Sequence, residues 1–213
     1  MKVLGNKYLQ LGEWCLHLFL LNCLWFMFSL IGGFFLGVFP ATVALFAVLR
    51  KLTMEPEVEV RIFHLFWTTY KSEFIKGNLL GYVWAVIGGA ILIDVRVLHQ
   101  VETTFIHQAL TIALYLLLVL YVFITFYLFP IFVHYNLRFL EYYKYAFVLV
   151  IGRPIKSILL FASMLLIYFL FSLIPGLIPV FGVSFIGFVM MKMTSSSLKK
   201  NNHSHIEEVE SFS

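Results

Sequence analysis

Three side chains in this sequence have the types and the spacing that proton transfer or ligand binding requires. His134, Arg138 and Glu141 stand at positions i, i+4 and i+7, so a helix would bring them onto one face. Arg138 and Glu141 are also spaced for an ion pair. The group could bind a ligand or move a proton, and a polar stripe that faces water or the membrane interface explains the same spacing. Both interpretations stay open.

Other residues that could do chemistry are few. His203 and His205 could touch a metal ion, but two imidazoles in a polar, Ser-rich tail make a weak site. Cys15 and Cys23 are about 12 Å apart along one predicted helix, which is too far for a disulfide bond. The sequence motifs of metalloproteases, serine hydrolases, nucleotide-binding loops and thiol oxidoreductases are absent. We therefore expect no enzyme, no cofactor and no metal site.

The composition explains this scarcity. Hydrophobic residues make up 62% of the 213 residues and charged residues only 12%, against about a quarter in an ordinary soluble domain. A soluble fold of this length could not bury so much apolar surface, which excludes a water-soluble enzyme, a disordered chain and a disulfide scaffold. The remaining class is a protein that crosses the bilayer several times. Its net charge of +4 then concerns orientation in the membrane and not nucleic acid.

Four long segments without charged residues are the elements that must position the polar groups. They contain 36, 17, 35 and 35 residues, bounded by Glu13 and Arg50, Lys76 and Asp94, Glu102 and Arg138, and Lys156 and Lys192. About 20 apolar residues in a helix cross the hydrocarbon core of a bilayer. Residues 113–121 are apolar on every side, whereas strands of a membrane barrel alternate apolar and polar residues. The sequence therefore predicts an all-α, polytopic membrane bundle.

The first and the last of these segments are too long for one crossing. Each contains helix-breaking residues near its middle, Gly32 and Gly33 in the first and Pro175, Gly176 and Pro179 in the last. Each is predicted to form a helical hairpin whose second limb is short enough to be a re-entrant or thinned crossing. The membrane domain is expected over residues 1–193, and a polar, disordered tail over residues 194–213. The six spans are expected at about residues 14–33, 34–50, 78–98, 107–129, 155–174 and 177–192.

The basic residues indicate how the spans are oriented. Six crossings would put fourteen of the fifteen Lys and Arg residues in the cytoplasm, with only Arg96 outside. If residues 14–49 crossed once, there would be five crossings and twelve basic residues inside. We therefore expect six crossings with both ends of the chain in the cytoplasm. Asp94 and Arg96 are expected to pair at the outer interface, and Asn22 to bond to a neighbouring helix.

Two amphipathic cytoplasmic helices are predicted between the spans, over residues 61–76 and 131–152. The first carries an aromatic stripe opposite a basic face. The stripe consists of Phe63, Trp67, Tyr70 and Phe74. Such a stripe suits a helix that lies among lipid headgroups, and it equally suits packing against the cytoplasmic ends of the spans. Together with Arg50 and Lys51, it is the predicted contact surface for a partner protein.

The segment from Gly37 to Gly81 has the most distinctive pattern. In chain order it contains Phe-Pro-Ala-Thr-x-Ala-Leu-Phe-x-Val-x-Arg-Lys, an acidic spacer, Phe-x-x-Phe-Trp-x-x-Tyr-Lys-x-x-Phe and Asn-Leu-Leu-Gly. These motifs, preceded by Asn22-x-x-Trp25, resemble the signature of the YesL-type family of small bacterial integral membrane proteins, whose function is not assigned. Leu52 stands where the family usually has tryptophan.

The resemblance implies a multi-pass protein of the bacterial cytoplasmic membrane. Because genes of the family often lie beside those of carbohydrate ABC-transporter components, it also implies an accessory or regulatory role in carbohydrate uptake. The partners would then be the lipid bilayer and subunits of such a transporter. The resemblance supplies no catalytic or binding residues. The first hypothesis is therefore a non-enzymatic protein that assists uptake, and the alternatives are a small solute transporter or channel and a structural scaffold.

Overall fold

The computed structural model is helical through most of the chain. It describes the backbone of residues 2–55, 59–98 and 105–211, and the side chains of residues 12–55, 59–98, 105 and 107–196. Within these residues the helices are α1 (Lys2–Ile31), α2 (Phe35–Met54), α3 (Ile62–Ser72), α4 (Phe74–Leu98), α5 (Phe105–His134), α6 (Phe139–Gly152), α7 (Pro154–Leu173) and α8 (Leu177–Ser211). The predicted all-α class is confirmed.

Six of these helices form three hairpins, and the short helices α3 and α6 connect one hairpin to the next. The hairpins are α1 with α2, α4 with α5 and α7 with α8. Each of the six helices holds a stretch of at least 20 residues that is long and apolar enough to cross a membrane. The chain is therefore a polytopic helical membrane protein, and the described helices match the larger of the two expected crossing numbers.

The first hairpin turns at the glycine pair that the sequence marks as a breaker. Gly33 and Phe34 both have positive φ, 71° and 61°, and glycine adopts this conformation without a Cβ penalty. Just beyond the turn the two limbs touch through their backbones. A Cβ added to Gly37 would meet the carbonyl oxygen of Phe28 at 2.8 Å. Only glycine allows this close approach.

Asn22 ties the last hairpin to the first and is completely buried. Its Nδ2 donates a hydrogen bond to the carbonyl of Pro179 over 2.7 Å, and its Oδ1 accepts hydrogen bonds from the backbone amides of Val183 and Ser184 over 3.1 and 3.3 Å. One side chain of α1 thus bonds to three backbone groups of α8 in the turn that contains a proline. The expected hydrogen bond to a neighbouring helix is present.

The second hairpin, α4 with α5, extends beyond the turn of the first hairpin along the direction of α4. The Tyr82 hydroxyl in α4 donates a hydrogen bond over 2.7 Å to the carbonyl of Phe35, at the turn of the first hairpin. The remainder of α4, up to Leu98, adds about 24 Å of helix beyond this contact. The first turn therefore lies level with the first half of α4 and not with its end. This position favours the shortened second limb that the sequence predicts.

Buried side chains gather in two clusters. The first lies between α1, α2, α3 and α8 and includes Phe28 and Phe66. The second joins α4, α5, α6 and α7 and includes Trp84 and Tyr127. Many large apolar side chains outside these clusters are exposed along α4, α5 and α7, as expected for surfaces that face lipid.

The last helix continues past the end of the predicted final span. Thr194 and Ser195, which the sequence assigns to the polar tail, are buried, so the tail begins later than expected. The side chains of residues 197–211 and all of residues 212–213 lie outside the described part of the chain. His203 and His205 are among them, and the expected disorder of the tail stays a prediction.

Candidate functional site

A cavity of about 330 Å³ lies where α2, the α3–α4 junction, α5 and α6 meet. Its charged and polar lining comes from Arg50 of α2, from Glu73 and Lys76 at the junction, and from His134 and Asn136 at the end of α5. Its apolar lining includes Val43, Ala47, Phe132, Val133 and Tyr142. The volume falls in the range of small-ligand pockets, and the mixture of apolar walls with a few polar groups is typical of them.

Arg50 fixes one wall of the cavity. Its Nη1 donates a hydrogen bond to the carbonyl of Val133, which lies in the last turn of α5. The last carbonyls of a helix have no partner within the helix, and a guanidinium satisfies one of them while favouring the negative end of the helix dipole. Arg50 lines the cavity, and its guanidinium has further N–H donors besides the one that bonds to the Val133 carbonyl.

Glu73 lies at the bend between α3 and α4. Its amide donates to the carbonyl of Thr69 over 2.9 Å, and its own carbonyl accepts from the amide of Gly77 over 2.7 Å, so both helices hold its backbone. The Oε2 atom of its carboxylate is shielded from solvent and has no hydrogen-bond partner in the structure. A buried acceptor without a hydrogen-bond partner lowers the stability of the fold.

The rim of the cavity is held by a short hydrogen-bonded loop between α5 and α6. The hydroxyl of Tyr142 donates to the carbonyl of Tyr135 over 3.3 Å and accepts from the amide of Leu137 over 3.1 Å. The carboxylate of Glu141 accepts a hydrogen bond from the amide of Arg138 over 2.9 Å, which caps the first turn of α6. The loop that carries Asn136 is therefore anchored at both ends.

The predicted polar cluster of His134, Arg138 and Glu141 is divided between two places. His134 lines the cavity, with its Nδ1 2.8 Å from the Pro130 carbonyl and its Nε2 3.3 Å from the Ser195 hydroxyl of α8. Arg138 and Glu141 instead cap α6. A spacing that suits an ion pair here serves to start a helix, and the ligand-binding or proton-handling role of the cluster stays a prediction.

The predicted contact surface is largely occupied within the chain. The Phe28 ring of α1 lies 5.1–6.3 Å from the rings of Phe63, Phe66, Trp67 and Tyr70 of α3. The aromatic stripe thus packs against α1, as one of its two interpretations expects, and a place among lipid headgroups stays a prediction.

The members of that surface differ in how accessible they are. Tyr70 is only 5% exposed, and its hydroxyl donates to the Phe28 carbonyl over 3.1 Å; burial raises its pKa, so it remains a donor at neutral pH. Phe74 packs edge-on against Tyr70, and Lys71 lies 4.0 Å above the Trp67 ring. Phe63 is 57% exposed and remains available to a partner. Lys51 is half-buried in the last turn of α2.

Sequence reasoning missed three of the residues that line the cavity, Glu73, Lys76 and Asn136. They come from two separate segments, and nothing in their spacing links them to Arg50 or His134. One signal was available. Glu73 is the single acidic residue between Val60 and Ile93, within a segment that otherwise carries basic charges.

The other candidate groups do not form sites in the described part of the chain. Asp94 and Arg96 are both exposed near the end of α4, and Cys15 and Cys23 are exposed, free thiols. Among the side chains that the structure describes, there is no group of three His, Cys, Asp or Glu residues that could hold a metal ion.

Comparison with known proteins places the chain in a family. A family model described as "Protein of unknown function, DUF624" matches residues 18–95. The uncharacterized protein YteU of Bacillus subtilis (strain 168) is 34% identical over 195 residues, which covers 92% of this chain and 86% of YteU. The chain belongs to the DUF624 family. The uncharacterized proteins YesV and YesL of the same organism are also similar, with 35% identity over 188 residues (87% of this chain, 88% of YesV) and 26% over 151 residues (70% of this chain, 69% of YesL). No solved structure matches.

The sequence pattern shared with this family maps onto interhelix packing. Trp25 donates from its indole to the Thr42 hydroxyl over 3.0 Å, which links the limbs of the first hairpin. The Asn78 amide donates to the carbonyl of Leu36 over 2.9 Å, and the backbone of Gly81 lies against the Phe39 ring. The DUF624 motifs therefore assemble α1, α2 and α4, and the cavity forms beside this assembly.

Proposed function

We propose that this DUF624 protein is a non-enzymatic accessory or regulatory component of carbohydrate uptake in the bacterial cytoplasmic membrane, associated with subunits of an ABC-type transporter. One observation carries the proposal. The charged and polar side chains that could recognise something, Arg50, Glu73 and Lys76, gather at one end of the bundle, next to the basic linkers. An arrangement with its recognition groups at a membrane face suits a protein that contacts or senses something on that face.

The orientation of that face is part of the proposal. Basic residues concentrate in the linkers around α3 and α6, and an excess of Lys and Arg is typical of cytoplasmic loops. We therefore assign the cavity and the C-terminus to the cytoplasmic side. A reporter that is active only in the cytoplasm, fused after residue 213, should be active, and a reporter active only in the periplasm should be silent there. The reverse pattern would contradict the orientation.

The exposed edge of α3 is the proposed contact with the transporter. Phe63 is exposed, and the neighbouring His64 and Thr68 are exposed beside it. Phe63→Ala should abolish co-purification with transporter subunits from detergent-solubilised membranes while leaving the protein folded. Leu140→Ala, another exposed apolar residue on the short helix α6, is the matched control and should leave co-purification intact. Failure of the wild-type chain to co-purify with any transporter subunit during growth on carbohydrates would refute the proposal.

A small solute transporter or channel is the second candidate, because the chain breaks between α7 and α8 at Pro175 and Gly176, close to where α8 meets α1. In many transporters such broken helices offer free backbone groups to the substrate. Here Asn22 already bonds to the carbonyl of Pro179 and to two amides of α8. Purified protein in liposomes should therefore show no flux across a panel of sugars and ions, and specific flux of one solute would reverse the order of the two candidates.

A further inference from the structure

We propose that the cavity at the α3–α4 junction binds a polyol phosphate, that is, a phosphate ester that carries free hydroxyl groups. The proposal concerns the cavity alone and requires neither a transporter nor a role in uptake. Three properties of the cavity support it: its charges, the Glu73 carboxylate in its lining and its size.

The charges of the lining favour a ligand with net negative charge. Arg50 and Lys76 are cations, and Glu73 is the one carboxylate of the lining. Two cations and one anion leave a net charge of +1, which complements a phosphate diester or monoester. Guanidinium and ammonium groups both recognise phosphate oxygens in proteins, and Arg50 and Lys76 line the same cavity. A zwitterionic ligand without net charge would leave this charge uncompensated.

The Glu73 carboxylate of the lining selects among anions. An inorganic phosphate dianion presents mainly acceptors, and it would place them beside a carboxylate that also accepts. A ligand with hydroxyl groups instead brings donors to the side of the cavity that Glu73 lines. The carboxamide of Asn136 and the hydroxyl of Thr69 in the same lining are suited to further hydroxyl groups. The cavity thus combines a phosphate-binding side and a hydroxyl-binding side.

The size and place of the cavity allow two sources of this chemistry. About 330 Å³ accommodates a phosphorylated three- to six-carbon polyol. The cavity lies at the ends of the apolar segments of α2 and α5, where lipid headgroups also lie. The ligand is therefore either a soluble polyol phosphate or the glycerol phosphate headgroup of phosphatidylglycerol, and the two share the recognised groups.

The test uses the purified full-length protein in two arms. In detergent micelles, calorimetry measures binding of glycerol 3-phosphate and glucose 6-phosphate, with inorganic phosphate as the comparison. In nanodiscs, native mass spectrometry measures retention of phosphatidylglycerol against phosphatidylethanolamine and phosphatidylcholine. Binding in the first arm alone identifies a soluble ligand, and preferential retention of phosphatidylglycerol identifies a lipid headgroup. Either result supports the proposal.

The variants separate the two sides of the cavity. Lys76→Gln should weaken binding of every phosphate compound about tenfold, because it removes one charge-assisted contact. Glu73→Gln should leave inorganic phosphate binding unchanged or tighter and remove the preference for polyol phosphates over it. Lys144→Gln, an exposed lysine of α6 outside this cavity, is the matched control and should change nothing. Lys76 is also exposed, so both lysine variants are expected to fold.

Three results would overturn the proposal. They are an absence of binding in both arms, equal binding of inorganic phosphate and polyol phosphates by the wild type, and equal retention of zwitterionic and anionic lipids with no soluble ligand. Affinity that is unaffected by both Lys76→Gln and Glu73→Gln would also overturn it, since the ligand would then bind elsewhere.

Discussion

Replacement of Asn22 by leucine tests how the first and last hairpins are joined. Leucine has the same number of side-chain heavy atoms and the same branching as asparagine, so Asn22→Leu leaves no cavity and removes the hydrogen bonds. The wild-type side chain makes three of them, all to the backbone of α8. A hydrogen bond between membrane helices is worth on average about 0.6 and at most about 1.7 kcal/mol, so three together amount to about 2–5 kcal/mol.

The assay is reversible unfolding of the purified protein in mixed micelles, followed by the loss of helix signal with increasing denaturing detergent. Gln108→Leu is the matched control, because Gln108 is an exposed carboxamide on α5. We expect Asn22→Leu to lower the free energy of unfolding by about 2–5 kcal/mol and Gln108→Leu to change it by less than about 0.5 kcal/mol. Equal stability of Asn22→Leu and wild type would refute the reasoning, since the three contacts would then contribute nothing. If Asn22→Leu kept the stability of the wild type but lost a solute flux that the wild type shows, the transporter hypothesis would be favoured instead.

Three further perturbations test other parts of the fold. Gly81→Leu drives a side chain into the Phe39 ring and should destabilise the protein by about 1–3 kcal/mol in the same assay. The control Gly89→Leu, at a position with open space, should not destabilise it. Equal effects of the two variants would contradict the packing of α2 against α4. Tyr70→Phe removes the hydrogen bond to the Phe28 carbonyl and should cost about 1 kcal/mol, while the exposed Tyr145→Phe should cost none; no difference between them would show that α3 is not held by this contact. The labelling test uses a background in which both cysteines are replaced by alanine. Leu98→Cys should react with a membrane-impermeant maleimide added outside the cells, and Phe35→Cys should not. Equal labelling would mean that the first hairpin crosses the whole membrane.

The architecture could be predicted from the sequence because its signals are local. Gaps between charges locate the apolar helices, and Gly32 with Gly33 and Pro175 with Gly176 mark two of the turns. The ends of the helices were predicted less accurately, since α2 continues to Met54 and α8 continues past the predicted span. Pro56, two residues beyond Met54, marks the end of α2. No glycine or proline follows Lys192, and the burial of Thr194 accompanies the continuation of α8.

The candidate site was less predictable because it depends on contacts between distant segments. Arg50 and His134 were both identified from the sequence, but only the fold brings them to one cavity. The spacing of Arg138 and Glu141 was compatible with an ion pair and with a helix cap, and the chain uses it as a cap because α6 starts at Phe139. The aromatic stripe of α3 was compatible with lipid and with protein, and its packing on protein depends on the place of Phe28 in the neighbouring helix.

The position of α3 explains why an aromatic stripe and the cavity occur together in the DUF624 segment. Phe66 and Tyr70 lie one helical turn apart and face Phe28, while Thr69 and Glu73, also one turn apart, face the cavity on an adjacent side of the same chain segment. Packing on Phe28 therefore fixes how deeply Glu73 and Lys76 are held beside Arg50. All three of these charged residues fall within the matched residues 18–95, whereas α5 and α6 contribute apolar walls, His134 and the loop with Asn136. The stripe acts as a positioning element for the charged side of the cavity, and both lie within the residues that the family model matches.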